Sequence, residues 1–230
     1  MKEKKNILIA MRGGTQIEGT REILSCNNYN VIVAGTARAV SLVLDKSHPH
    51  LLIMDINLSG TGGLALVKSL RKNYEIPIIV LHESADESAI VDTLDAGAND
   101  VLVLPFGRPE HLARIRAILR YSSNILGCAK GGEFSVEGLS INYASRNLHV
   151  DGKLIHLTPI EFRIITLLTI NAGKVLTHEQ IINEIWGPYN TDNLVLRVNM
   201  ANIRRKIEAN PAEPKYVLTE VGVGYRVIEG

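Results

Sequence analysis

The chain has 230 residues, 46% hydrophobic and 21% charged, which is enough for two domains that each bury a core. Its net charge of +1 does not by itself indicate a nucleic-acid binder, and no apolar run approaches the roughly 20 residues of a membrane span. Cys26 and Cys128 lack the spacing of a metal site, which favours a reducing, cytoplasmic location.

The first half of the chain alternates between strand-like and helix-like segments. Short runs rich in β-branched residues predict strands at Asn6–Met11, Asn30–Ala34, Leu51–Asp55, Pro77–Leu81 and Val101–Leu104. Helices are predicted at Thr15–Asn27, Thr36–Lys46, Gly63–Asn73, Asp86–Ala96 and Pro109–Tyr121. The first run follows a basic start but is too short for a signal peptide. Strict alternation favours a parallel sheet with helices on both faces, an α/β flavodoxin-like (βα)5 fold over residues 1–121.

A Gly- and Ser-rich stretch at residues 122–132 indicates a linker to a second domain, residues 133–230. Short strands are predicted there at Phe134–Val136, Leu139–Tyr143, Asn147–Val150 and Lys153–Leu157, with Asp151-Gly152 as a hairpin turn. Helices are predicted at Pro159–Ile170, His178–Trp186 and Asp192–Ala209, followed by a Gly-interrupted β segment at Lys215–Gly230. Helices followed by a β-hairpin are typical of a winged helix-turn-helix domain that binds DNA.

Positive charge is concentrated on the last predicted helix. Residues 193–208 contain four basic side chains and one acidic side chain, so their net charge is 4 − 1 = +3. A solvated helix face carries such charge more often than a DNA-binding face does, and the choice between them depends on the surrounding domain.

Motifs along the chain resemble the OmpR/PhoB family of response regulators. The second half contains HLTPIEFR, GKVLT, LRVNMANIRRKIE and TEVGVGYRV, and the first half contains LLIMDINLSGTGGLALVKSLR, IPIIVL and DAGANDVLVLPF. The resemblance covers nearly the whole chain. It implies a two-component receiver domain joined to a winged-helix DNA-binding domain, in a regulator of transcription that is not an enzyme.

The resemblance makes Asp55 the phosphoryl acceptor, but the residues expected around it differ from those of a working receiver. The positions of the family's acidic pair, hydroxyl, switch aromatic and lysine are here Met11 with Arg12, His82, Val101 and Leu104. Phosphoryl transfer needs Mg²⁺ and fixed cations to neutralise the transferred group. We therefore expect no magnesium, no other cofactor, and a regulator that works without phosphorylation. The alternative is a conventional receiver that still accepts a phosphoryl group on Asp55.

Two roles are open for Arg12. Its guanidinium can replace the metal by a bidentate pair with Asp55, with His82 adding a pH-sensitive donor, or it can point into solvent. Gly13-Gly14-Thr15 lacks the patterns of phosphate-binding loops and is interpreted as the turn that starts a helix.

The resemblance further implies a homodimer through the fourth helix, fifth strand and fifth helix of the receiver. Asp100 and Arg114 match one ion pair across the two-fold axis, whereas Glu110 meets Ile90 in place of a basic residue. Asn99 replaces a further acid of this face. Because exposed ion pairs contribute only about 0–1 kcal/mol each, apolar contact at Ile90 can offset the loss. We expect a dimer that does not require phosphorylation.

The spacing of apolar residues divides the last long helix into two sides. The residues predicted to be exposed are Arg197, Asn199, Ala201, Asn202, Arg204 and Arg205. The resemblance implies base contacts by Arg197 and Asn202 and phosphate contacts by Asn199 and Arg204, with Thr219 and Tyr225 at the base of the wing. At the wing tip, Val221 stands where relatives often carry a minor-groove arginine, which weakens the contact expected there.

The partners implied are double-stranded promoter DNA bound as direct repeats, a second copy of the chain, RNA polymerase and a sensor histidine kinase, with no membrane. A further hypothesis is that the first domain mainly docks other proteins, a kinase relative or RNA polymerase.

Overall fold

The computed structural model describes residues 4–12, 15–58, 62–83, 86–105, 107–120, 132–188 and 193–229. The chain divides into two compact units, Met1–Leu112 and Ala113–Gly230. Because residues 121–131 lie outside the described ranges, the boundaries at 121 and 132 stay a prediction. Cys128 and the Gly13-Gly14 pair also lie outside these ranges.

A five-stranded parallel sheet is the centre of the first unit. Its strands are β1 (Asn6–Ala10), β2 (Asn30–Ala34), β3 (Leu51–Asp55), β4 (Ile78–His82) and β5 (Asp100–Val103). They lie in the order β2-β1-β3-β4-β5, and Leu8 pairs with Ile32 on one side and Leu52 on the other. The predicted parallel α/β fold is confirmed.

Five helices alternate with these strands along the chain, and two of them begin with side-chain caps. They are α1 (Thr15–Cys26), α2 (Ala37–Ser47), α3 (Gly63–Asn73), α4 (Glu87–Asp95) and α5 (Arg108–Arg120). Thr36 accepts a hydrogen bond from the backbone N–H of Ala39, and Asp86 accepts one from that of Ala89. Each cap satisfies an N–H that has no partner inside its helix.

The strands in the middle of the sheet are buried along their length. Leu51–Met54 and Ile78–Leu81 are at most 2% exposed, as expected for strands covered on both faces. Polar side chains appear only where these strands end, at Asp55 and His82. The carboxyl edge of the sheet is therefore its chemically distinct edge, the place where open parallel sheets bind ligands.

The second unit contains a four-stranded antiparallel sheet. Its strands are β6 (Glu133–Val136), β7 (Leu139–Asn142), β8 (Asn147–Val150) and β9 (Lys153–Ile155), paired in chain order. Asp151 and Gly152 both have positive φ, 49° and 77°. A two-residue turn of this kind matches the twist of the flanking strands, which confirms the predicted hairpin.

Three helices and a smaller sheet complete the second unit. The helices are α6 (Pro159–Ile170), α7 (His178–Ile185) and α8 (Asn193–Ile207). The sheet contains β10 (Leu176–Thr177), β11 (Val217–Glu220) and β12 (Gly224–Val227), ordered β10-β12-β11. Capping boxes start α6 at Thr158 and α7 at Thr177, and Trp186 is fully buried. The arrangement confirms the winged helix-turn-helix, with β10 as an unpredicted third strand.

Within the described ranges, no helix combines the length and the apolar character needed to cross a bilayer.

Candidate DNA interface and strand-end pocket

The first candidate site lies at the carboxyl edge of the parallel sheet. Met11 and Arg12 follow β1, Asp55 ends β3, His82 ends β4 and Leu104 follows β5. We call these five residues the strand-end pocket. The four strands are neighbours in the sheet, so the positions predicted to surround Asp55 do lie at one edge.

Asp55 is half-buried and is held by its own loop. Its Oδ1 accepts a hydrogen bond of 2.8 Å from the backbone N–H of Asn57. Arg12 is exposed, and among the described residues it forms no ion pair with Asp55. Of the two orientations considered for Arg12, paired with Asp55 or directed into solvent, the structure shows the second. An exposed guanidinium keeps its hydration, and pairing it would gain little.

His82 is 6% exposed and bonds to α4 rather than to Asp55. Its Nε2 lies 3.0 Å from Oγ1 of Thr93, and that hydroxyl donates in turn to the carbonyl of Ala89 at 2.7 Å. Because the hydroxyl proton is used there, Nε2–H of His82 is the donor to Thr93. Burial lowers the pKa of His82, and the nearby charge of Asp55 opposes this effect. The suggested donation from His82 to Asp55 is not present.

Magnesium does not fit the strand-end pocket. Mg²⁺ requires oxygen ligands in octahedral geometry, whereas Met11 offers a thioether that is 2% exposed and Leu104 offers no donor. The neighbouring Val101 is buried in β5 and supplies neither an aromatic ring nor a hydroxyl. Throughout the described ranges there is no cluster of three His, Cys, Asp or Glu residues able to hold a metal.

The predicted dimer face is less open than its sequence suggests. Ile90 is half-buried on α4, and Glu110 and Arg114 are half-buried on α5. Asp100 is fully buried, and its Oδ1 accepts the N–H of Val101 at 2.9 Å. Asp100, Glu110 and Arg114 also take part in interactions inside the chain. Within the single chain one oxygen of the Asp100 carboxylate is therefore engaged by the backbone, and the ion pair of Asp100 with Arg114 across a two-fold axis stays a prediction.

Asn99 likewise acts inside the unit. It is 1% exposed, and its Oδ1 accepts from Nη2 of Arg71 and from the backbone N–H of Ile78, both at 2.6 Å. Arg71 also donates to the carbonyl of Gly97 at 2.6 Å. Asn99 therefore fixes the entry to β5 and is not a missing acid of a surface patch.

The second candidate site is the outer side of α8 together with the wing, the hairpin β11–β12. Arg197, Ala201 and Arg205 are exposed and recur every four residues, so they share one side of the helix. We call these three residues the recognition face. It carries two exposed guanidinium groups around a small side chain, and arginine is the side chain that most often reads guanine in a major groove.

Asn199 and Asn202 are buried, contrary to the expectation that both are exposed. Asn199 is 3% exposed and its Nδ2 donates to the carbonyl of Val195 at 2.7 Å. Asn202 is 8% exposed, and its Oδ1 accepts from Nη1 of Arg205 at 2.6 Å. The amide of Asn199 is turned back to its own helix, whereas that of Asn202 supports the neighbouring arginine.

Arg204 connects α8 to the wing. Its Nε and Nη2 donate to the carbonyl of Val217 at 3.0 and 2.6 Å, and Nη2 also donates to Oγ1 of Thr219 at 2.7 Å. Its guanidinium lies over the ring of Tyr225, 5.7 Å from the centroid. Arg204 was predicted to contact a phosphate; in the structure its donors are directed to the wing.

Tyr225 is a packing residue of the interface. It is 6% exposed and meets the ring of His178 edge-on, with centroids 5.4 Å apart. Burial raises the pKa of Tyr225, and the charges of Arg204 and Arg197 oppose this effect. His178 was not predicted as part of the interface. The only indication of this role in the sequence was that His178 directly follows Thr177, the residue that caps α7.

Glu208 was also missed. It is 8% exposed at the end of α8, and its carboxylate accepts the backbone N–H groups of Lys215, Tyr216 and Val217 at 2.8, 3.0 and 2.9 Å. These three backbone N–H groups find their hydrogen-bond acceptor in the carboxylate of Glu208. The contact fixes the direction in which the chain enters the wing.

The wing itself is weakly charged. Arg226 pairs with Glu220 within the hairpin at 2.9 Å, and Val221 at the tip is 91% exposed. A cleft of about 580 Å³ separates the wing from α7, and its walls include His178, Glu179 and Val223.

Comparison with known proteins agrees with this arrangement. Residues 7–116 match the family described as response regulator receiver domain, and residues 152–227 match that described as transcriptional regulatory protein, C terminal. The chain is 38% identical over 207 residues to the KDP operon transcriptional regulatory protein KdpE of Escherichia coli (strain K12), covering 90% of this chain and 91% of that protein.

Solved structures show the same fold. A RitR mutant superposes with a TM-score of 0.77 at 23% identity, covering 98% of this chain and all of the other. DrrB of Thermotoga maritima, an OmpR/PhoB homologue, gives 0.50 at 24% identity over 99% of this chain and all of the other.

Proposed function

The chain belongs to the OmpR/PhoB-type response regulators, two-component transcription factors, and we propose that it regulates transcription without phosphorylation of Asp55. The observation that carries the proposal is the make-up of the strand-end pocket. Asp55 is its only carboxylate, and Met11 and Leu104 stand where charge neutralisation requires oxygen ligands and a cation.

The remaining groups of the pocket do not replace the lost ones. Arg12 is a permanent cation, but it is exposed and makes no ion pair with Asp55 in the described part of the chain. His82 uses Nε2–H on Thr93. A phosphoryl group on Asp55 would gain neither a metal nor a fixed donor from these side chains, so the equilibrium for transfer from a kinase is unfavourable.

In this proposal the cytoplasmic protein binds promoter DNA as a homodimer, with the two winged-helix domains on direct repeats. Arg197 and Arg205 read base edges, and the helix–wing junction formed by Arg204, Thr219 and Tyr225 keeps α8 at a fixed angle to the wing. Ile90 supplies the apolar part of the receiver contact. RNA polymerase and a sensor histidine kinase are the proposed protein partners.

Genome-wide mapping of bound DNA tests the proposal. We expect wild type and Asp55→Ala to occupy the same sites with the same strength, because Asp55 has no role in switching. Arg197→Ala serves as the control that loses sites. Loss of wild-type sites in Asp55→Ala would instead indicate a conventional phosphorylated regulator.

A further inference from the structure

The tip of the wing is an apolar projection. Val221, Gly222 and Val223 form the turn between β11 and β12, and the N–H of Val223 donates to the carbonyl of Glu220 at 2.9 Å. Gly222 has a φ of +75°, which lets the turn close tightly. Val221 is 91% exposed and Val223 48%. Among large apolar side chains in the described ranges, Val221 is the most exposed.

Cations near this tip are already engaged. Arg226 donates through both Nε and Nη2 to Glu220, at 3.1 and 2.9 Å, so the pair has no net charge. Arg204 is directed to Val217 and Thr219 at the base of the wing. The cleft beside the wing contains neither lysine nor arginine among its described lining residues. The wing tip therefore cannot bind a groove through charge.

The floor of the minor groove offers one feature that an apolar tip can sense. Both A·T and G·C pairs present acceptors there, but only G·C adds a donor, the N2 amino group of guanine. A valine methyl group cannot accept that hydrogen bond and it displaces the water that does. The unpaired donor carries a desolvation penalty that A·T pairs avoid.

We propose that Val221 is a specificity-determining residue that reads the minor groove by exclusion, disfavouring G·C because it leaves the guanine N2 amino group without an acceptor. The inference rests on the proposed DNA binding and adds to it that, with α8 in the major groove, the wing tip reaches the adjacent minor groove. Val221 covers the acceptors of A·T and G·C pairs equally, so these acceptors contribute nothing to the difference in binding free energy between the two pairs. The preference does not depend on salt, unlike that of a cationic tip, since no phosphate-bound ion is displaced by Val221.

The test uses the full chain without any phosphodonor. Wild type first selects a duplex from a random-sequence library. Each A·T pair of that duplex is then replaced, one position at a time, by G·C and by inosine·cytosine, which keeps the major-groove edge of guanine but lacks the N2 amino group. At the base pair that contacts the wing tip, we expect G·C to weaken binding by about fivefold or more. Inosine·cytosine at the same base pair should restore binding.

Val221→Thr is the matched variant. It has the same size, and its hydroxyl accepts a hydrogen bond, so G·C and inosine·cytosine should bind this variant equally. Because the side chain is 91% exposed, the exchange leaves the fold unaffected. If wild type bound G·C and inosine·cytosine equally at every position, the role of Val221 would be refuted. Failure of wild type to enrich any sequence would instead refute phosphorylation-independent DNA binding.

Discussion

The guanidinium of Arg204 lies against the ring of Tyr225, 5.7 Å from its centroid, and joins the recognition helix to the wing. Nη2 of Arg204 also reaches the carbonyl of Val217 and the hydroxyl of Thr219. One side chain thereby connects the two elements that are proposed to contact DNA.

Arg204→Ala should lower the free energy of unfolding by about 1–3 kcal/mol, because the carbonyl of Val217 loses charged donors and the ring of Tyr225 loses its cation. DNA binding should weaken on specific and scrambled duplexes alike. Urea unfolding and fluorescence anisotropy measure the two effects. Arg197→Ala is the control and should leave stability unchanged. Unchanged stability in Arg204→Ala would show that the helix–wing contact is dispensable.

Arg197→Ala should weaken binding to the preferred duplex by about 1–3 kcal/mol while hardly changing binding to a scrambled duplex. The reason is that Arg197 is exposed on the recognition face and makes no hydrogen bond within the described chain. Anisotropy titrations on the two duplexes give the difference. Lys174→Ala, an exposed cation outside α8, is the control. Equal weakening on both duplexes would mark Arg197 as a backbone contact.

Acetyl phosphate with Mg²⁺ should leave the intact mass of the protein unchanged, because the strand-end pocket lacks the ligands of magnesium. Mass spectrometry after incubation checks this directly, with Asp55→Ala treated in parallel. A stable gain of one phosphoryl group in wild type that is absent from Asp55→Ala would contradict the proposed function.

Ile90→Lys should shift a monomer–dimer equilibrium toward monomer, since it places a charge on the apolar contact proposed for α4. Analytical ultracentrifugation of untreated protein measures the shift. Leu42→Lys, which removes a side chain 53% exposed on α2, should not change it. The proposed face is wrong if both variants associate like wild type.

Acidification should destabilise the protein through His111, which is fully buried on α5. Burial lowers the pKa of His111 to about 4, against a weaker opposing effect of Glu110. The unfolded chain takes up this proton below a pH of about 6.5, so stability falls between about 6.5 and 4, by about 3 kcal/mol in total.

His111→Leu should remove this fall, and urea unfolding at a series of pH values measures it. The exposed His156→Leu is the matched control and should retain it. A fall of equal size in His111→Leu would assign the acid sensitivity to other groups.

The fold was predictable because its elements have strong local signals. Pro159–Ile170 begins with a capping box, and Leu51–Asp55 is a continuous apolar run, and both appear with the predicted bounds. The two-residue strand Leu176–Thr177 was not predicted, since a segment of that length has no periodicity. Its existence depends on pairing with Gly224 and Tyr225, residues distant in sequence.

The candidate sites were predictable in position but not in side-chain direction. Helical spacing assigns Asn199 to an outer side, but an amide can turn back and bond to its own helix, as it does on Val195. The burial of Asp100 was likewise not predictable, because its carboxylate accepts the adjacent N–H of Val101. Such local hydrogen bonds leave no pattern in the sequence.

Gly224 is where β12 presses most closely on β10, since a β-carbon there would collide with the backbone of Leu176. Since Thr177 of β10 is also the N-cap residue of α7, this close contact ties the wing directly to the start of α7. In the proposed DNA complex, a wing held in this way leaves the duplex as the partner that adapts its shape. Sequences that bend at low energetic cost then gain affinity at positions that no side chain touches.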